Sequence, residues 1–294
     1  MDESSDSPAS QTPGLRWIWA TSFLYTAVAA AVVQFVLLPH VFTSWHAGHG
    51  LLAGGDWVGF HDMAAGLADR IEVDGWGAWE FRPRNQGLVG VMAAFYALIA
   101  HEPWTLIPLN AALNATAVML LVLIVQVFTA SRRLAVAACL PFLLYPSALL
   151  WNAQIHNDSF FIAGALLFLY GWILLGRRDA WDCPCRPAGA WGCAVLGAFL
   201  VWVVRPYGVQ MMQGVGVFMA LFLSGLFVRR AVKSGGPGWR RAAAGALVAW
   251  GILFSLSPLA RHTLEKAIGP LPPPIGPLPP PYEWAFSSWL PRSV

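Results

Sequence analysis

The sequence predicts an all-α polytopic membrane protein, and three observations carry the prediction. The chain of 294 residues is 57% hydrophobic and 11% charged, against about 25% charged in ordinary soluble domains. Its apolar residues gather in blocks of roughly 17–25, the length a helix needs to cross a bilayer. Its arginines cluster between those blocks, as they do in loops that set membrane orientation. Hydrocarbon offers no partner for a backbone N–H or C=O, so such blocks are expected to be helices. The net charge of +3 reports orientation and does not point to a nucleic-acid partner.

Seven spans are predicted, over residues 17–39, 105–129, 134–150, 159–176, 188–204, 207–228 and 242–259. Residues 1–16 are expected to be a disordered cytoplasmic tail, being acidic and rich in Ser and Pro. No cleavable signal peptide is expected, because the first apolar block is span-length. An eighth apolar piece, Gly87 to Ala100, reaches only about 21 Å as a helix, short of the ~30 Å hydrocarbon core. Basic loops at Arg132/Arg133, Arg177/Arg178/Arg186 and Arg229/Arg230/Lys233/Arg240/Arg241 are each separated by two spans. All three are therefore cytoplasmic together. A cytoplasmic N-terminus then makes residues 87–100 a re-entrant or interfacial helix on the outer side. An external N-terminus with eight full spans is the alternative.

The first outer loop covers residues 40–104. Phe60, Met63, Ala64, Leu67 and Ile71 recur at helical spacing, with Asp62, Asp69 and Arg70 opposite them. That pattern predicts an amphipathic helix lying in the interface plane. Residues 260–294 form an outer tail in which Gly-Pro-Leu-Pro-Pro-Pro repeats before Ile275 and Tyr282. Proline at this density predicts a stiff polyproline II spacer, and Trp284, Phe286 and Trp289 suit an interfacial anchor. Cys183 and Cys185 fall in a cytoplasmic loop, where thiols stay reduced. Cys139 and Cys193 act as small apolar residues inside spans. Asn110 and Asn114, four apart, are accounted for by interhelical hydrogen bonds.

Chemistry-bearing residues collect on the outer side. Asp56 follows Gly54-Gly55, which lets the backbone turn sharply before the acid. A carboxylate at a helix N-terminus is favoured by the dipole, and an ionised one would accept a proton from an attacking hydroxyl or amine. His61 and Asp62 follow on the same segment. Asp158 begins a span two residues after His156, and helix capping explains both acids equally well. Facing Asp56, Asp158 would orient a second substrate or share a divalent metal with it. Arg205 breaks a long apolar run on the outer side, where a guanidinium either snorkels to headgroups or clamps a phosphate. Arg261, His262 and Lys266 are further cations with the same candidate role. His46-x-x-His49, with Asp56, His61 and Asp62 behind it, has the ligand types of a zinc hydrolase but matches no established spacing.

The order of these pieces resembles the membrane-embedded GT-C glycosyltransferases, the group containing protein O-mannosyltransferases and aminoarabinose transferases. An anchor precedes an outer loop with Asp56, Phe60 and Asp62. An Ala-rich amphipathic helix, Gly75-Trp76 and Pro83 come next. Leu109-Asn110-Ala111-Ala112-Leu113-Asn114, Arg132-Arg133-Leu134, Tyr145-Pro146-Ser147 and a loop ending in Asp158 complete it. The likeness covers roughly residues 17–230 and rests on pattern. It implies a GT-C-like transmembrane domain over residues 17–259, in a multi-pass protein of the bacterial inner membrane. It implies a polyprenyl-phosphate sugar as donor and a glycan, lipid or protein as acceptor. Asp56 would be the catalytic acid of the first loop, Asp62 the acid six residues on, and Asp158 the second-loop acid. His61, His156, Arg205 and Lys266 would bind substrate.

Two departures stand out. Asp56 is followed by Trp57 where many members carry a second acid. The family pattern also continues through further spans, so the expectation is a truncated product, an inactive one, or one whose C-terminal part a protein partner supplies. A lipid-linked precursor transporter and a non-catalytic membrane scaffold are the other readings. Spans nearly free of ionisable residues argue against ion-coupled transport.

Overall fold

The computed structural model describes residues 14–129, 131–176, 185–205 and 208–234. The predicted span 242–259, the tail 260–294 with Lys266, and residues 1–13 lie outside the described residues. What is described is mostly helical.

Helix α1, Leu15–Val32, continues as a π-helical stretch, Val33–Val41, that contains Pro39. A two-stranded hairpin follows, β1 His46–Gly48 against β2 Leu51–Leu52. Then come α2 Asp56–Asp74, α3 Gly87–Leu98 and α4 Ile107–Thr129. The chain closes with α5 Arg132–Leu144, α6 Pro146–Asn152, α7 Asp158–Gly176, α8 Cys185–Val204 and α9 Gly208–Ser234. Among the described residues, three helical segments are long and apolar enough to cross a membrane: Leu15–Val41, Pro103–Thr129 and Asp158–Gly176. Large apolar side chains such as Trp17, Leu24, Phe218 and Leu221 point outward from the bundle. Such a surface is a liability in water and suits lipid.

The predicted span 134–150 is two helices. Pro146 clashes with a helical conformation at the residue before it, and Tyr145 is extended at φ −65°, ψ 122°. Pro146 then opens α6 at its first position, where its missing N–H costs nothing. The 13 residues of α5 reach about 20 Å, less than a bilayer's core. Free Cys139 is buried among residues of α1, α4 and α5.

The expected amphipathic helix is α2, but lipid is not needed to cover it. Phe60, Ala64, Leu67, Ala68 and Ile71 pack with Leu88, Val89, Met92 and Tyr96 of α3. Burying a side chain such as Leu67 or Met92 contributes about 2 kcal/mol. The short apolar piece 87–98 thus finds its partner in α2, while Asp62, Asp69 and Arg70 face solvent as expected.

Helices α7 and α8 touch backbone to backbone. A Cβ on Gly197 would lie 2.4 Å from Phe168 N, and one on Gly164 would lie 2.8 Å from Gly197 O. Small residues permit this close approach between membrane helices. Their antiparallel pairing sets the start of α7 beside the end of α8, which is where the charged residues meet.

Candidate functional site

Asn110 and Asn114 do bridge elements. Asn110 Nδ2 donates to Gln154 O at 3.1 Å and Asn114 Nδ2 to Thr26 Oγ1 at 2.8 Å. Gln154, buried after α6, extends this network to the first loop. Its Oε1 accepts from Leu52 N at 2.9 Å and its Nε2 donates to Gly50 O at 3.4 Å. Gln34 Nε2 donates to the neighbouring Ala153 O. Four backbone groups that no ladder satisfies are paired this way, as buried polar groups require. The hairpin ahead of Asp56 is thereby tied to the segment ahead of Asp158.

The turn between them needs its glycines. Gly54 adopts φ +83°, and a Cβ on Gly55 would overlap the Trp57 ring at 2.0 Å. Trp57 folds back over Gly55, and its Nε1 donates to Leu52 O. The Trp57 ring then lies 6.2 Å from His156, whose other neighbour is Trp151 at 4.5 Å. The sequence marks Trp57 only as a departure from the family pattern and gives Trp151 no role; the signal for both is a tryptophan near each acid.

His156, Asp158 and Arg205 come together. Arg205 Nη2 donates to Asp158 Oδ1 at 2.7 Å, and His156 Nδ1 lies 3.1 Å from Asp158 Oδ2. The same His156 Nδ1 also lies 3.1 Å from the Asp158 backbone N. One ring nitrogen serves only one of these contacts at a time. Unprotonated, it accepts the N–H; protonated, it donates to the carboxylate. Helix dipoles favour the pair on both sides, with the acid at the N-terminus of α7 and the arginine just past the C-terminus of α8. Phe161 lies under the guanidinium at 5.3 Å. Arg205 therefore spends its charge on Asp158, which neither the snorkelling nor the phosphate-clamp expectation included.

Asp158 and His156 open on a cavity of about 300 Å³ with Asn114, Ser147, Trp151 and Ser159 in its wall. Its size matches the lower end of small-molecule sites. Asn157 Oδ1, next in sequence, is buried and accepts no hydrogen bond among the described residues.

Asp56 is the first helical residue of α2, not its cap, which is Gly55. Its exposed carboxylate makes no hydrogen bond or ion pair among the described residues. Neither Asp56 nor Asp62 lines the cavity. A divalent metal shared by Asp56 and Asp158 does not fit this arrangement, because both Asp158 oxygens already face cationic or donor groups.

The histidines of the first loop separate. His46 Nε2 accepts from Gly50 N at 3.0 Å and so serves the hairpin turn. His49 pairs with Glu102 at 3.1 Å. His61 is buried, with Nδ1 2.8 Å from Tyr96 Oη and its ring 4.9 Å from His49. The zinc-hydrolase grouping of His46, His49, Asp56, His61 and Asp62 is thus dispersed over different partners.

Burial, then the nearby His49, draws the His61 pKa below its ordinary value, against Asp62 and Glu102; His101 acts with His49. The folded chain holds the ring neutral, so the unfolded chain takes up the proton first. The associated stability is full above about pH 6.5 and is lost as the pH falls towards the folded-state value. Thermal unfolding in detergent is expected to show a lower melting temperature at about pH 5.5 than at about pH 7. His61→Gln, which has no titrating ring, is expected to flatten that slope; an unchanged slope would assign it to other groups.

Comparison with protein-family models, with curated proteins and with solved structures finds no match to the chain, so its function rests on the geometry above.

Proposed function

We propose that the chain is a multi-pass membrane glycosyltransferase. It would move a sugar from a polyprenyl-phosphate donor to an envelope acceptor at the outer face of a bacterial inner membrane. The observation that carries this reading is that His156 and Asp158 share the cavity wall while Arg205 is bonded to Asp158. Trp57, the neighbour of Asp56, packs on the same histidine. In this reading α5 and α6 cross the bilayer together as one kinked span, so that seven spans with a cytoplasmic N-terminus would put both acid-bearing segments outside, with α3 on the outer side against α2.

In this reading Asp56 deprotonates the acceptor as it attacks the anomeric carbon. A general base must be free to receive the proton, and the Asp56 carboxylate has no partner to displace among the described residues. Asp62, one turn and a half further along α2, lies on its exposed side and faces the acceptor rather than the donor. Asp158, in the cavity wall, is a positioning group that holds the Arg205 guanidinium against it. The departing lipid phosphate gathers negative charge, and a preorganised guanidinium offsets it.

Asp56→Asn keeps shape and removes the base. Mass spectrometry of envelope glycolipids and glycans from a deletion strain, restored with wild type or with Asp56→Asn, provides the test. A product lacking one sugar, restored by wild type alone, is expected. Identical profiles in all strains, with the protein present in the membrane, would sink the transferase and favour a scaffold.

A further inference from the structure

Away from the cavity, a second set of chemistry-bearing side chains meets where α2 runs past the connection between α3 and α4. Asp69 and Glu72 are three residues apart on α2, a spacing that puts both carboxylates on one helix face. His101 approaches them from the other chain segment. One ligand atom from each of the three residues lies within 4.8 Å of the others.

The contacts of His101 are not those of a settled hydrogen-bonded ring. Its Nδ1 lies 3.4 Å from Asp69 Oδ1 and its Nε2 lies 3.0 Å from Glu72 Oε1. Yet Nε2 is inaccessible to solvent and makes no hydrogen bond. The Glu72 oxygen sits at contact distance but off the direction in which an N–H points. An imidazole nitrogen and a carboxylate oxygen take up such a relation when both aim their lone pairs at a common third atom.

We propose that Asp69, Glu72 and His101 form a binding site for a divalent transition-metal ion of the zinc class. One imidazole and two carboxylates supply three ligands, and the fourth tetrahedral position is left to water. Two negative charges match the ion's charge, and the mixed nitrogen and oxygen set favours zinc over calcium or magnesium, which prefer oxygen alone. Both carboxylates are more than half exposed, at 67% and 57%, so they are free to close around an ion and leave it an entry path. The His101 ring is held from its other side by Tyr96, 6.1 Å away and stacked, whose hydroxyl is itself engaged by His61. Groups that orient a ligating histidine raise the affinity of such sites. Metal binding takes the neutral ring and would replace its contacts with the two acids. The ion would fasten α2 to the chain ahead of α4, independently of the transferase reading.

The competing arrangement is a protonated His101 bridging the two acids with no metal, and the two differ in one measurement. The full chain in detergent micelles is titrated with zinc by calorimetry, and bound metal is counted after dialysis. The wild type is expected to retain one zinc ion per chain, with calcium not competing. His101→Ala and Glu72→Gln are each expected to weaken binding by about 100-fold or more, while His40→Ala, at an exposed histidine elsewhere, leaves it unchanged. Glu72→Gln keeps the size of the side chain, so it decides the matter if His101→Ala fails to fold. No saturable binding by the wild type overturns the site, as does zinc retained at full affinity by Glu72→Gln.

Discussion

Arg205→Ala is expected to remove at least about 99% of the product and to lower stability by about 1–3 kcal/mol. Asp158 and Arg205 are each about one-third exposed or less, at 29% and 31%. Truncating the arginine leaves a half-buried carboxylate with only the α7 dipole and His156 to satisfy it. Asp158→Asn is expected to be milder for stability, because an amide oxygen still accepts from the guanidinium. The informative variant is the double one, Asp158→Ala with Arg205→Ala. With both partners gone no orphaned charge remains, so part of the stability is expected to return. Activity is expected not to return, because the guanidinium that Asp158 holds is then absent. Recovery of both stability and product in the double variant would reduce the pair to a tie between α7 and α8. Unfolding in micelles and the envelope assay, run on all four chains of the cycle, measure the two quantities separately.

Gly87→Ala is expected to be among the most damaging single methyls at the described glycines. A Cβ there would fall 2.0 Å from Val203 O and 2.9 Å from Val203 C. Backbone cannot rotate away as a side chain would, so α3 must move off the end of α8. Overpacking of this kind costs about 1–3 kcal/mol, and a backbone obstacle puts it at or above the upper end. The damage also travels, since Arg205 is two residues from Val203 and its bond to Asp158 depends on where α8 ends. Gly59→Ala is the contrast, with nothing within 4 Å of the added carbon. It lies inside α2, so the same substitution is expected to stabilise by about 0.5–1 kcal/mol. Melting temperatures of the two variants should move in opposite directions from the wild type. A Gly87→Ala chain that melts like the wild type would mean that α3 does not bear on α8.

Much of the helical plan was legible because bilayer-length apolar runs are a strong pattern. Residues 17–39, 105–129 and 159–176 each fall within or nearly within a helical segment that is long enough to cross. The span 134–150 misled because hydropathy sums over a proline without sensing it. Leu144 and Ser147 are equally compatible with a span on composition, and only the Tyr145 backbone separates them. The amphipathic stripe of α2 was legible as well, but periodicity says that a face is apolar and not what covers it. Here α3 covers it. At the site, the acids and Arg205 were found as charges out of place beside apolar blocks. Their pairing was not, because no local pattern links residues 47 apart, as Asp158 and Arg205 are. Gln154 gave no signal at all, being an uncharged side chain whose role is to satisfy the backbone of a distant hairpin.

That glutamine also dictates an order of assembly. Its bonds to Leu52 and Gly50 span 102 and 104 residues, a closure that only forms after α4, α5 and α6 have been made. A ribosome adding roughly 5–20 residues per second would leave the hairpin and the Asp56 turn waiting several seconds for this latch. Asp56 would then meet its surroundings only once the intervening helices are made. The turn that carries Asp56 would thus be fixed only after the helices that follow it, and the Asp158–Arg205 pair later still.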